Sequence, residues 1–176
     1  MTAAVATAVD RGVAFLAARQ LPSGGFSLRY GADLASDDTV ADDHALFGTA
    51  LVAWSLGFCE DEAARPVLGR AVEHLRRHME PGGVWRHWTP GSEQHAMVAA
   101  DADDTAYASL VLRRAGVPFP DNRQLFTGNR DPDGLFYTWF VVRRGPVPRR
   151  LGLWRVGLRR ALHPLQARAL WRTTWA

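Results

Sequence analysis

An internal repeat constrains this chain more than any other feature. Slid along itself by 59 residues, "RGVAFLAARQLPSGGF" (11–26) overlays "RAVEHLRRHMEPGGVW" (70–85). Arg11 meets Arg70, Leu16 meets Leu75, Pro22 meets Pro81, Gly24 meets Gly83 and Phe26 meets Trp85. The same offset pairs Asp42 with Asp101, Leu51 with Leu110 and Gly57 with Gly116. A third, partial copy is "NRDPDGLF" (129–136). Each unit reads as a helix, a Gly-aromatic loop and a second helix. The first helix carries apolar residues at helical spacing, Val9, Val13 and Leu16 in one copy, Val67, Ala71 and Leu75 in the next. "PSGG" and "EPGG" end it, because proline cannot continue the ladder and glycine supplies the turn. The second helix (45–57, 105–115) is apolar on nearly all sides, which requires enclosure by neighbours. One pair cannot bury its own faces, so stacked pairs must form the core. The expectation is all-α: stacked helical hairpin repeats, outer helix then inner helix.

Composition narrows the class. The length of 176 residues suits one domain. Cys59 is the single cysteine, so no internal disulfide forms. The start has no basic n-region and meets Asp10 early, unlike a signal peptide. The longest uncharged apolar stretch, 45–59, is too short to span a bilayer. A cytoplasmic protein, membrane-peripheral at most, is expected. All 21 basic residues are arginines, and nine of them fall between 143 and 172. No Asp or Glu follows Asp133. Twelve arginines against eighteen acids leave the rest of the chain at −6. The chain therefore divides into a repeat body, 1–142, and an Arg-rich tail, 143–176, read as a basic amphipathic helix. Such a tail suits contact with an anionic membrane surface or a diphosphate. Nucleic acid is not an expected partner, since the body is acidic and no recognition motif is present.

The repeat residues resemble the QW repeat of squalene–hopene cyclases and their relatives. Arg11, Gly12, Phe15, Leu16, Gln20, Gly24 and Phe26 fit its pattern, as do Arg70, Ala71, Leu75, Gly83 and Trp85. His74 and Met79 depart from it, and the third copy keeps Gly134 and Phe136. "DADDTA" (101–106) resembles the DxDDTA signature of class II terpene cyclases. The resemblance covers about residues 5–140. It implies helical hairpin repeats of the (α/α) toroid type, here an incomplete barrel of two to three pairs, with an isoprenoid substrate and protonation-initiated cyclisation, an intramolecular lyase or isomerase reaction. It implies Asp103 as proton donor, with Asp101 and Asp104 holding it. No cofactor is needed for protonation; Mg²⁺ enters if the substrate is a diphosphate. Full class II enzymes add a second toroid, so a second toroid domain or an oligomer is an expected partner.

The chemistry explains the residue types. An alkene is a very poor base, so its acid must be protonated at neutral pH, where an ordinary Asp at about 3.9 is ionised. Like charges and a dry pocket raise a carboxyl. The helix macrodipole opposes this by ~0.3–1 kcal/mol. A three-unit rise takes roughly 4 kcal/mol, so burial and repulsion must outweigh the dipole. Ring faces stabilise a carbocation by about 2 kcal/mol when desolvated. Trp85, Trp88, Tyr107, Phe136 and Trp139 are the expected substrate-facing rings, with Phe47 and Trp54 further candidates.

Plainer readings stand beside these. Asp101 alone reads as an N-cap with acids in the first turn. Asp37, Asp38 and Asp42 have the DDxxxD spacing of a magnesium–diphosphate site, and equally that of a capped helix start. His87 or His95 can hydrogen-bond the acid cluster. The competing functions are a non-catalytic toroid fragment binding lipid or a partner, and an Mg²⁺-dependent prenyl diphosphate enzyme.

Overall fold

The structure is a computed structural model, and it describes residues 2–30, 41–43, 45–130 and 133–140. The tail 143–176 and the pair Asp37 and Asp38 lie outside the described residues. The chain is all-α apart from one short ribbon. In order come α1 (Ala3–Arg19), strands β1 (Leu28–Tyr30) and β2 (Ala41–Asp43), α2 (Leu46–Leu56) and α3 (Ala64–Arg77). A 3-10 turn (Glu93–Ala96), α4 (Ala102–Arg114) and α5 (Arg123–Gly128) follow. The helices make two full outer–inner pairs, α1/α2 and α3/α4, and α5 with its Gly-aromatic turn begins a third.

Packing follows the expected division. Inner helices α2 and α4 lie against each other, outer helices α1 and α3 touch, and α3 rests on both inner helices. The core runs through Leu46, Ala50, Ala53 and Leu56 of α2, Val67, Ala71 and Leu75 of α3, and Ala108, Val111 and Leu112 of α4. Outer α1 buries only Val13. Phe15, an aromatic of the repeat pattern, is 58% exposed with the Arg19 guanidinium over its ring. Among the described residues no helix is long and apolar enough to cross a membrane.

The turns that end the outer helices are built alike. Leu21 N–H donates to the Gly25 carbonyl (3.0 Å), and Glu80 N–H donates to the Val84 carbonyl (2.9 Å). Gly24 and Gly83 have φ of +89° and +71°, which side chains disfavour. A Cβ on Gly24 would also lie 2.4 Å from the Arg70 carbonyl oxygen, because this turn presses against the next outer helix. Gln20 secures the same junction, donating to both the Gly24 and the Val67 carbonyls at 2.9 Å. Met79 cannot do this in the second unit. There Asn122, from the third unit, donates back to the Gly83 carbonyl (2.6 Å).

Two findings correct the sequence reading. Asp42 does not cap a helix: it sits in β2, its backbone opposite Arg29 in the antiparallel ribbon. The repeat also changes register between its halves. The hydroxyl of Thr49 accepts the Phe26 N–H (2.9 Å), and the hydroxyl of Thr105 accepts the Trp85 N–H (3.1 Å). Ala45 bridges to Trp88, and Asp101 bridges to Trp139. The partner of Asp101 is therefore Ala45, not Asp42, and the inner helices repeat at 56 residues. The second unit reaches its inner helix through a loop three residues shorter than the first.

Trp85 corrects a further expectation. It is fully buried, and its indole N–H donates to the Leu75 carbonyl (2.8 Å). Its ring fastens the turn to the core and does not face a substrate. Trp85→Ala should cost about 3–5 kcal/mol of stability, measured as a lower midpoint in urea unfolding.

Candidate active site

The acid cluster occupies the first turn of α4. Asp101 is the N-cap, with extended backbone, and its carboxylate accepts the Asp104 N–H at 2.9 Å. Its own N–H donates to the Trp85 carbonyl (3.3 Å), while Ala102 N–H donates to the Thr138 carbonyl (2.7 Å). The start of the helix is thus held between the second and third Gly-aromatic segments. One carboxylate oxygen from each of Asp101, Asp103 and Asp104 can be chosen so that all lie within 4.8 Å of one another.

Helical phase separates the three. Asp101 and Asp104 are 3% and 2% exposed, whereas Asp103 is exposed. Asp103 occupies the second position of the helix, which turns away from the contacts with α2 and α3. The dry pocket expected around Asp103 is therefore not closed by the described residues. Asp104 lies inside. Its Oδ2 is 3.3 Å from Nδ1 of His87, and its Oδ1 is buried without a hydrogen-bond partner. Burial above all, then the Asp104 charge and a hydrogen bond with its side chain, pushes the Asp101 carboxyl up to about 10. The Asp104 N–H pulls the other way and does not prevail. Asp101 consequently keeps a proton at neutral pH.

The first unit serves as an internal control on the capping explanation. Where α4 has Asp101, Asp103 and Asp104, α2 has Ala45, Phe47 and Gly48, and α2 starts with no side-chain cap. Thr49 and Ala50 match Thr105 and Ala106. The threonine belongs to the architecture. The three acids do not, because the same turn forms without them.

Rings gather on one side of the cluster. Phe47 meets the Tyr107 ring edge-on at 5.7 Å and lies 6.2 Å from the His87 ring. His87 meets Trp88 at 4.6 Å. Of the expected substrate-facing rings, Trp88 and Tyr107 reach this group, and Trp139 arrives through its backbone bridge to Asp101. Phe136 does not; it is 51% exposed, under the Arg130 guanidinium and edge-on to Phe126. Trp54 packs with Phe58 near Arg114 at the far end of α2. Of the two histidines, His87 approaches the acids, while His95 donates to the Trp88 carbonyl (2.7 Å). Phe47, a further ring candidate from the sequence, joins this group, whereas Trp54 does not. The register shift that sets Phe47 opposite Asp103 in the repeat had no sequence signal beyond the shared "TA".

The raised carboxyl has a measurable consequence. Asp101 stays protonated in the folded chain and ionises near 4 when unfolded. Its contribution to stability is therefore greatest below about pH 4 and declines as pH rises toward 10. Asp101→Asn keeps a good cap. It should remove a slope of about 1.4 kcal/mol per pH unit and raise stability at pH 7–8, measured by urea unfolding across pH 5–9.

No protein-family model matches the chain, and no curated protein does. Solved structures match the fold. Apo MstE, a type II terpene cyclase from Scytonema, is 19% identical with a TM-score of 0.56, covering 85% of this chain and 39% of its own. An alanine variant of MstE with its product merosterolic acid A is 20% identical with a TM-score of 0.56, covering 76% and 36%. A protein from Actinoplanes is 24% identical with a TM-score of 0.54, covering 88% and 40%. The chain spans about two fifths of the length of these structures. Its fold is similar to part of the type II terpene cyclase MstE.

Proposed function

We propose that this chain is a class II terpene cyclase-like protein that protonates a polyprenyl substrate and so starts its cyclisation. The observation that carries this is the trio Asp101, Asp103 and Asp104, set beside rings at a helix start whose twin needs no acid. Asp103 is the donor, because it is the carboxyl of the three that a substrate can touch. Asp101 and Asp104 lie behind it, one holding a proton and the other oriented by His87. The π pair of the alkene takes the proton from Asp103, forming a C–H bond and leaving a carboxylate and a carbocation. Phe47, Tyr107 and Trp88 are linked by ring contacts to His87, which approaches Asp104, and aromatic faces stabilise a cation. The next alkene attacks it, and loss of a proton ends the sequence.

A neutral donor at Asp103 needs water excluded from it. On this reading the wall over Asp103 is supplied by a second toroid domain or a partner chain. The observation that Asp103 is exposed favours a second reading, a non-catalytic toroid fragment that binds lipid or a partner. The tail 143–176 then provides contact with anionic membrane. A third reading places Mg²⁺ on the acids of the chain, either Asp37, Asp38 and Asp42 with a diphosphate or the trio on α4. Three clustered carboxylate oxygens suit a hard cation. Metal on the trio requires Asp101 ionised, whereas proton transfer requires the cluster to hold its proton, so the two are exclusive there.

Incubation with squalene, farnesyl diphosphate and geranylgeranyl diphosphate tests the first reading. Cyclic products should form and fall at least ~100-fold in Asp103→Asn; products that persist would refute the assigned donor. EDTA should leave squalene cyclisation unchanged, and its abolition would favour the metal reading. A folded chain that floats with anionic liposomes yet turns over none of the three substrates would favour the fragment reading.

A further inference from the structure

The first unit has a small cavity of about 140 Å³ beside the start of α2, apart from the acid cluster at the start of α4. Leu21, Ser23, Gly25, Phe26, Ala45 and Thr89 line it, together with two histidines one helical turn apart on α3, His74 and His78. Their rings are 4.3 Å apart at 45°.

Each ring is committed at the same nitrogen. His74 Nδ1 lies 3.0 Å from the Ser23 carbonyl oxygen, and His78 Nδ1 lies 2.8 Å from the His74 carbonyl oxygen. A carbonyl only accepts, so both Nδ1 atoms carry the hydrogen. The lone pair of each neutral ring is then on Nε2. Tying Nδ1–H to a backbone carbonyl is the usual way a protein orients a metal-binding imidazole and raises its basicity. Gly25 packs on the face of the His74 ring: a Cβ there would lie 2.8 Å from Nε2 and 2.9 Å from Cε1. Two imidazoles on one ion at about 2.0–2.1 Å place their ring centres roughly 4.5–5 Å apart. The observed spacing is a few tenths of an ångström from that.

We infer that His74 and His78 form a two-imidazole site for a transition-metal ion, of the Zn²⁺, Ni²⁺ or Cu²⁺ class, with its remaining positions open to water or to the Ser23 and Thr89 hydroxyls. The class follows from the donors. Imidazole suits these metals, whereas Mg²⁺ and Ca²⁺ need carboxylate oxygen, and no acid lines the cavity. The nearby charge is the Arg77 guanidinium, which shares the Ser23 carbonyl (2.6 Å). It further disfavours a cation held by charge alone. The site belongs to this chain's own sequence: the repeat position of His74 in the first unit is Phe15.

The test uses the full, tag-free chain with excess Mg²⁺ present to occupy carboxylates. Calorimetric titration with Ni²⁺ should give one equivalent of tight sites. His78→Ala should weaken that binding at least tenfold, and His95→Ala should leave it unchanged. His78→Gln serves if the alanine variant does not fold. In the wild type, substoichiometric Cu²⁺ should broaden the His74 and His78 imidazole C–H resonances before those of the other four histidines. Unchanged affinity in both His78 variants, no binding, or earlier broadening at other histidines would overturn the site.

Discussion

One hydrogen bond recurs at the centre of each complete unit: the inner-helix threonine accepts the N–H of the aromatic that follows the glycine turn. Thr49 does this for Phe26 and Thr105 for Trp85. Both hydroxyls are buried, and a buried amide without a partner would cost about 1–3 kcal/mol. The bond sets the Gly-aromatic turn that follows the outer helix over the start of the inner helix. Burial of Phe26 and Trp85, the core formed by α2, α3 and α4, and the position of the α4 N-terminus all follow from that placement.

The acid cluster draws on this scaffold at a cost to stability. A helix start favours ionised carboxylates, yet the site keeps Asp101 neutral because it is enclosed and faces another carboxyl. Asp104 is itself buried, and the proton kept on Asp101 is shared with its side chain. Such arrangements gather where chemistry needs a displaced pKa. The same chain shows that the architecture did not demand them, since Ala45, Phe47 and Gly48 begin α2 without an acid. A cap accounts for Asp101 alone; it accounts for neither the burial of Asp104 nor the ring group beside it.

Much of this was legible in the residues. Period and punctuation sufficed for the helix pairs, because glycine turns and helical stripes are local effects. Gly24 and Gly83 occupy the left-handed region that their sequence context suggested. Asp101 reads as a cap and is one. His87 beside the acids was one of two candidates, and only packing chose it over His95. The ribbon of β1 and β2 was not legible: three-residue strands carry no period, and Asp42 looked like the repeat partner of an aspartate 59 residues on.

Sequence by itself determined that the chain is a stack of helical hairpins with three acids at one inner-helix start, because spacing along a helix needs no knowledge of neighbours. Tertiary structure decided which acid is inside. A step of one residue turns a side chain by about 100° around the helix axis, and only the positions of α2 and α3 convert that angle into burial. Asp101 and Asp104 therefore face the interior, and Asp103 faces out. Trp85 was decided in the same way: its ring could have faced a substrate or the core, and the Leu75 carbonyl holds it in the core.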